Sequence, residues 1–296
     1  MGALAAVSPT TMMTTVGAGK QLAAGKRIGN ALGEVSLRQQ TSPWMSGLFF
    51  LGCTGFAYCF AEVLHELGHM LAVWIQGGTA LRFYFHPVFP GYNVSSYVPD
   101  WQFLYLAGGW IGAPLGLLLA LGLLKKPTAW RLPLYLTAAV GLLVTGMHQL
   151  SDPLRKVDSD WTFAIKYGFP PWIILVAGVL FVLAGALLRT YLLPLVGVGP
   201  KDGVKRRILV YLIGLLPWQV MVVTVLAATG RGPLIGFLAG LIPGLVWLVL
   251  EASLSRMLAV RGWGSRVPLI RISGGHLAWA WGLTATIVVL QLAFFW

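Results

Sequence analysis

Phe60 to Trp74 reads FAEVLHELGHMLAVW, a segment apolar enough to lie in lipid that nevertheless carries two histidines and two glutamates. An ionisable group at the centre of a membrane helix costs about 2.5–3.5 kcal/mol on insertion scales, so retaining several in one span calls for a compensating partner. His65-Glu66-Leu67-Gly68-His69 fits the pattern H-E-x-x-H. On a helix His65 and His69 then stand one turn apart on one face, the spacing at which two imidazoles bind one zinc ion. Glu66 lies beside them, where a carboxylate suits the general base that takes a proton from an activated water. Glu62 shares that face and has two open readings. It either orients a ligating imidazole through its other ring nitrogen or faces a water-filled cavity.

The rest of the chain supplies the setting. Of 296 residues, 57% are hydrophobic and 10% charged, with a mean hydropathy of +0.77; this composition excludes an ordinary water-facing globule. About 20 apolar residues cross a bilayer, and seven runs are long enough: Met45–Val73, Gln102–Leu124, Leu132–Leu150, Trp172–Leu188, Ile208–Thr229, Leu234–Leu254 and Gly275–Trp296. The expected fold is therefore an all-α polytopic membrane protein of about seven transmembrane helices. Its predicted parts are a cytoplasmic N-terminal tail over residues 1–43, a metallopeptidase-like membrane core over 44–170 and additional helices over 171–296. Between the first two spans, LRFYFHPVFPGYNVSSY (residues 81–97) is rich in aromatic and β-branched residues and broken by His86-Pro87 and Pro90-Gly91. It predicts a short β-hairpin or a re-entrant loop.

The net charge of +12 does not point to nucleic acid, because the basic residues are sorted by side. With seven crossings and the N-terminus inside, sixteen Lys and Arg fall on the inner side and five on the outer. That bias predicts a cytoplasmic N-terminus in an integral protein of the cell or plasma membrane. Cys53 and Cys59 form no metal-type pair.

A catalytic zinc takes three protein ligands and keeps a position for water. His65 and His69 lie toward the outer end of the first span, and the third span runs in the same direction. Its end therefore meets the same depth of membrane, with GMHQLSDPLRKVDSDWTF (residues 146–163) offering His148, Asp152, Asp158 and Asp160. His148 and Asp152, one turn apart, are a further candidate pair, with a hydrogen-bonded helix end as the competing reading.

Three blocks between about Ala61 and Phe163 resemble the site-2 protease family of intramembrane zinc metallopeptidases, and a divergent branch of it most closely. They are VLHELGHMLAVWIQGG at Val63–Gly78, AGGWIGAPLG at Ala107–Gly116 and DPLRKVDSD at Asp152–Asp160. The resemblance implies zinc held by His65, His69 and Asp160, with Glu66 catalytic. Asp160 matches the branch's Ser-Asp, and Asp158 is its rival. The better-known members carry Asn-x-x-Pro ahead of Leu-Asp-Gly, whereas Trp161 follows Asp160 here.

These readings predict a zinc-dependent metalloendopeptidase that cleaves transmembrane protein substrates within the bilayer. The alternative is a non-catalytic zinc-binding scaffold or transporter; a membrane hydrolase acting on a lipid or other non-peptide bond shares the same zinc chemistry. The sequence leaves the substrate, the cleavage site and the oligomeric state open.

Overall fold

The computed structural model describes residues 42–84, 92–95, 98–122, 128–155, 158–199, 202–214 and 270–294, together with 253, 254 and 257. The expected N-terminal tail and most of the expected fifth and sixth spans lie outside the described residues. The described helices belong to one compact unit, Pro43–Trp296.

The chain is helical apart from one two-stranded ladder among the described residues. Helix α1 spans Pro43–Ile75, β1 Ala80–Tyr84, β2 Tyr92–Ser95, α2 Trp101–Gly122, α3 Leu132–Arg155, α4 Asp160–Lys166, α5 Pro171–Leu192 and α6 Gly274–Phe294. Short 3-10 turns lead into α3 at Ala129–Arg131 and out of α5 at Leu193–Val196. Five of these helical segments are long and apolar enough to cross a membrane, and they match five of the seven expected runs to within a few residues. Helix α3 runs past the expected span, which ends at Leu150. It continues to Arg155, and Asp152 is satisfied inside the helix by Ser151 Oγ and His148 Nδ1, each at 3.0 Å.

Two observations identify lipid as the surrounding solvent. Along α5, Trp172, Val176, Val179, Leu180, Leu183 and Leu187 are exposed at helical spacing with no charge among them. Such a stripe is unfavourable in water and natural against acyl chains. In the second, α6 is fastened to α1 by polar side chains reaching backbone oxygens. Thr284 Oγ1 donates to the Gly52 carbonyl at 2.7 Å, Gln291 Nε2 to Cys59 at 3.1 Å and Trp281 Nε1 to Leu48 at 3.1 Å. Interhelical hydrogen bonds of this kind join helices where the hydrophobic effect gives no preference for protein over solvent.

Helix α1 is the hub, contacted by α2, α3 and α6. At about 1.5 Å per residue its 33 residues extend about 50 Å, well beyond one hydrocarbon core. Gly77, at φ 76°, ends it: Gly78 N–H donates to Val73 O at 2.9 Å and Gly77 N–H to Trp74 O at 3.0 Å, a glycine stop with a left-handed residue. The ladder follows at once. Its strands are antiparallel, pairing Arg82 with Val94, Phe83 with Asn93 and Tyr84 with Tyr92. Residues 85–91, on which the expected turn falls, lie outside the described residues.

What sets the site is the contact of α1 with α2, made by glycines. A Cβ on Gly68 would run into the Ala107 carbonyl, and one on Gly112 into the Leu64 carbonyl and the Cα of His65. The two backbones are therefore closer than any side chain permits. Gly112→Ala should cost about 1–3 kcal/mol through overpacking and lower the thermal unfolding midpoint of the detergent-solubilised protein by several degrees. Gly282→Ala on α6, where a Cβ meets nothing within 4 Å, should leave that midpoint unchanged or slightly higher.

Candidate metal centre

His65 and His69 project from α1 toward α2, their ring centroids 4.9 Å apart and their planes at 83°. Gly108 of α2 backs both rings, because a Cβ there would collide with the Nε2 atoms of both histidines. The same glycine run packs the helices and makes room for the imidazoles. The sequence reading assigned it packing alone.

Asp160 arrives from a separate element and is fixed by three local features. Ser159 caps α4: its backbone N–H donates to Thr162 Oγ1 at 2.9 Å, and its hydroxyl accepts from Thr162 N–H, a reciprocal capping box. Trp161 is buried and lies over Gly109, where a Cβ would collide with its ring. Stacked aromatics complete the attachment, with Tyr105 of α2 against Phe163 and Tyr167 at centroid distances of 5.2 and 5.9 Å. Gln102 Nε2 also donates to the Tyr167 carbonyl. Trp161, which follows Asp160 in the chain, is thus the anchor that seats it.

The three side chains converge. Asp160 Oδ2 lies 3.0 Å from His65 Nε2 and 3.2 Å from His69 Nε2, and the two Nε2 atoms are 3.2 Å apart. Protons alone satisfy this triangle poorly. His69 Nδ1 donates to the Leu104 carbonyl at 2.8 Å, so in the neutral ring the lone pair on Nε2 points at a carboxylate oxygen and another nitrogen. Protonating both rings would satisfy Asp160 but set two N–H groups against each other. A single cation contacting all three atoms removes every conflict. Zinc bonds of about 2.0–2.2 Å in tetrahedral geometry place ligand atoms about 3.3–3.5 Å apart, close to the separations found here. Two imidazoles and a carboxylate are also a donor set that zinc accepts.

The electrostatics agree. Burial by itself pushes the Asp160 carboxyl up, but the charge of His69 and the hydrogen bonds of both imidazoles outweigh it and hold the group well below the ordinary carboxylate range. Glu66 is 2% exposed, and one of its carboxylate oxygens lies within 4.8 Å of the histidine nitrogens. By proximity alone His65, Glu66 and His69 form a metal-type group. The tighter set is His65, His69 and Asp160, with the buried Glu66 beside the two histidines.

The remaining candidates fall elsewhere. Asp158 is exposed and takes no part in the triangle. His148 donates from Nδ1 to the buried Asp152, as a helix-end pair. Glu62 lines a small cavity that His65 also lines. The Leu104 carbonyl could not have been anticipated, since a backbone acceptor leaves no mark in residue type.

Comparison of the chain with protein-family models, with curated proteins and with solved structures finds no match in any of the three.

If these atoms form the ligand set, purified protein should hold about one zinc per chain by elemental analysis. Asp160→Ala should bind it at least 10-fold more weakly, and Asp158→Ala should bind it as the wild type does.

Proposed function

We propose that the protein is a zinc-dependent intramembrane peptidase of the site-2 protease type, hydrolysing peptide bonds of membrane-spanning protein substrates. The carrying observation is the meeting of His65, His69 and Asp160 within 3.2 Å of one another, beside a buried Glu66 and inside a bundle of membrane-type helices. A structural zinc site is closed by four protein ligands, whereas this one gathers three and keeps a carboxylate next to them.

A zinc ion bound by this triad would polarise the scissile carbonyl and make water acidic enough to attack near neutral pH. The chain's own residues do the rest. Glu66 takes the proton of the attacking water on its carboxylate and passes it to the leaving nitrogen. Its burial keeps that carboxylate from competing bulk water, and Asp160 and the imidazoles hold their positions through α4 and the Leu104 carbonyl. A substrate helix has its peptide bonds hydrogen-bonded and screened by side chains, so it unwinds before cleavage. The β1–β2 ladder, which follows α1 directly, offers strand edges on which an unwound segment pairs through its backbone. We further assign the chain to the cell membrane with a cytoplasmic N-terminus, on the charge bias of its loops.

The reading is tested by Glu66→Gln. Purified protein is co-reconstituted in lipid vesicles with a single-span reporter whose helix contains glycine and proline, and cleavage is followed by gel and mass spectrometry. The substitution should lower the cleavage rate at least 100-fold while zinc content stays at the wild-type level. Undiminished cutting by the variant would sink the general-base role. Loss of zinc together with activity would instead make Glu66 a fourth ligand and the site a closed, structural one.

A further inference from the structure

Beside His65 the bundle contains a cavity of about 20 Å³. Its walls come from three helices: Tyr58, Ala61, Glu62 and His65 of α1, Ala113 of α2, and Gly141, Val144 and Thr145 of α3. A space of roughly 10–15 Å³ by this measure holds one water, provided two to four polar groups surround it. Here there are four such side chains: the Tyr58 hydroxyl, the Glu62 carboxylate, the Thr145 hydroxyl and the His65 ring.

The two imidazoles are supported differently. A ligating histidine almost always gives its other ring N–H to a carboxylate, a carbonyl or a water, which fixes the ring and raises its basicity. His69 does this directly through Leu104. The hydrogen bonds of His65 to its two neighbours in the triangle both run through Nε2, and the residue also lines the cavity.

We infer that Glu62 is a positioning residue for the metal centre, holding His65 through a water molecule in the cavity between α1, α2 and α3. The water accepts from His65 Nδ1–H and donates to the Glu62 carboxylate, with the Thr145 and Tyr58 hydroxyls completing its shell. Glu62 is set apart from Glu66 by place: one faces the cavity behind the ligand, the other the reacting side. A carboxylate in the middle of a membrane span thereby serves the site without touching it. The inference rests on the metallopeptidase reading and concerns metal binding rather than turnover.

The test uses the full chain in detergent, with cobalt(II) as probe and a chelator competition giving zinc affinity. Two variants act on the two halves of the link. Glu62→Gln removes the anion. Gly141→Ala adds a methyl to the cavity wall, and the nearest atoms to that Cβ would be Ala61 Cβ at 3.7 Å and Ala113 Cα at 3.8 Å, so the helices need not move. Both variants should weaken cobalt and zinc binding by about 10–100-fold and shift the visible cobalt absorption bands, with the unfolding midpoint of the metal-free protein unchanged. Wild-type affinity and spectrum in both variants would overturn the proposal. An effect of Glu62→Gln alone would overturn the water link, and an effect of Gly141→Ala alone would overturn the role of Glu62. A wild-type chain that takes up neither metal removes the metal centre itself, an outcome distinct from all of these.

Discussion

Three electron-pair donors facing one another across about 3 Å are an unstable arrangement unless positive charge lies between them. His65 Nε2, His69 Nε2 and Asp160 Oδ2 are held in this arrangement, and the architecture around them resists the repulsion. Gly68, Gly108 and Gly112 bring α1 and α2 to backbone contact, so the imidazoles have no room to rotate away. The Leu104 carbonyl fixes one ring from behind. The Ser159 cap and the burial of Trp161 set the carboxylate at the first position of a seven-residue helix. None of these contacts is individually large. Together they make the convergence a property of the fold rather than of three flexible side chains.

The apolar surroundings raise the stakes. A buried carboxylate without a counter-charge costs several kcal/mol even after relaxation, and here Glu66 is buried and Asp160 partly buried in a bundle with apolar outer faces. The site lies where two small apolar clusters meet. One, of Ala72, Val73, Val98, Leu104 and Ala107, covers the His69 side, and the other, of Leu106, Trp161, Ala164 and Ile174, covers the Asp160 side. A larger cluster between the first half of α1, α3 and the turn after α5 holds the bundle together away from the chemistry. This division of labour explains why α5 and α6 carry no ionisable group near the triangle. Helix α5 packs against α3, and α6 braces the hub helix through its side-chain bonds to the carbonyls of α1.

The parts of this arrangement written in residue type were legible in the sequence, and the parts written in backbone were not. H-E-x-x-H announces itself because a helix converts a spacing of four into a shared face, and five of the seven apolar runs appear as helices because length and hydropathy are sufficient for that decision. Asp160 could be singled out from Asp158 only through the Ser-Asp block. Its physical basis is the cap that starts α4 one residue earlier, which points Asp160 inward and leaves Asp158 exposed. The glycine run of α2 read correctly as packing, but its second duty behind the imidazoles depends on which helix it faces, a tertiary fact. The Leu104 carbonyl and the cavity wall at Gly141 have no signature at all.

Glu62 and Glu66 show how far identical chemistry is divided by one turn of helix. Both are glutamates of α1, both flank His65, and no local propensity separates them. Glu66 is closed off at 2% exposure within reach of the histidine nitrogens. Glu62 opens onto a space the size of a single water, where a carboxylate polarises that water and, through it, whatever ring lies beyond. The opening anomaly of charge in a lipid-like segment then has two causes. On the proposed function, one glutamate moves a proton and the other keeps a ligand still while it moves.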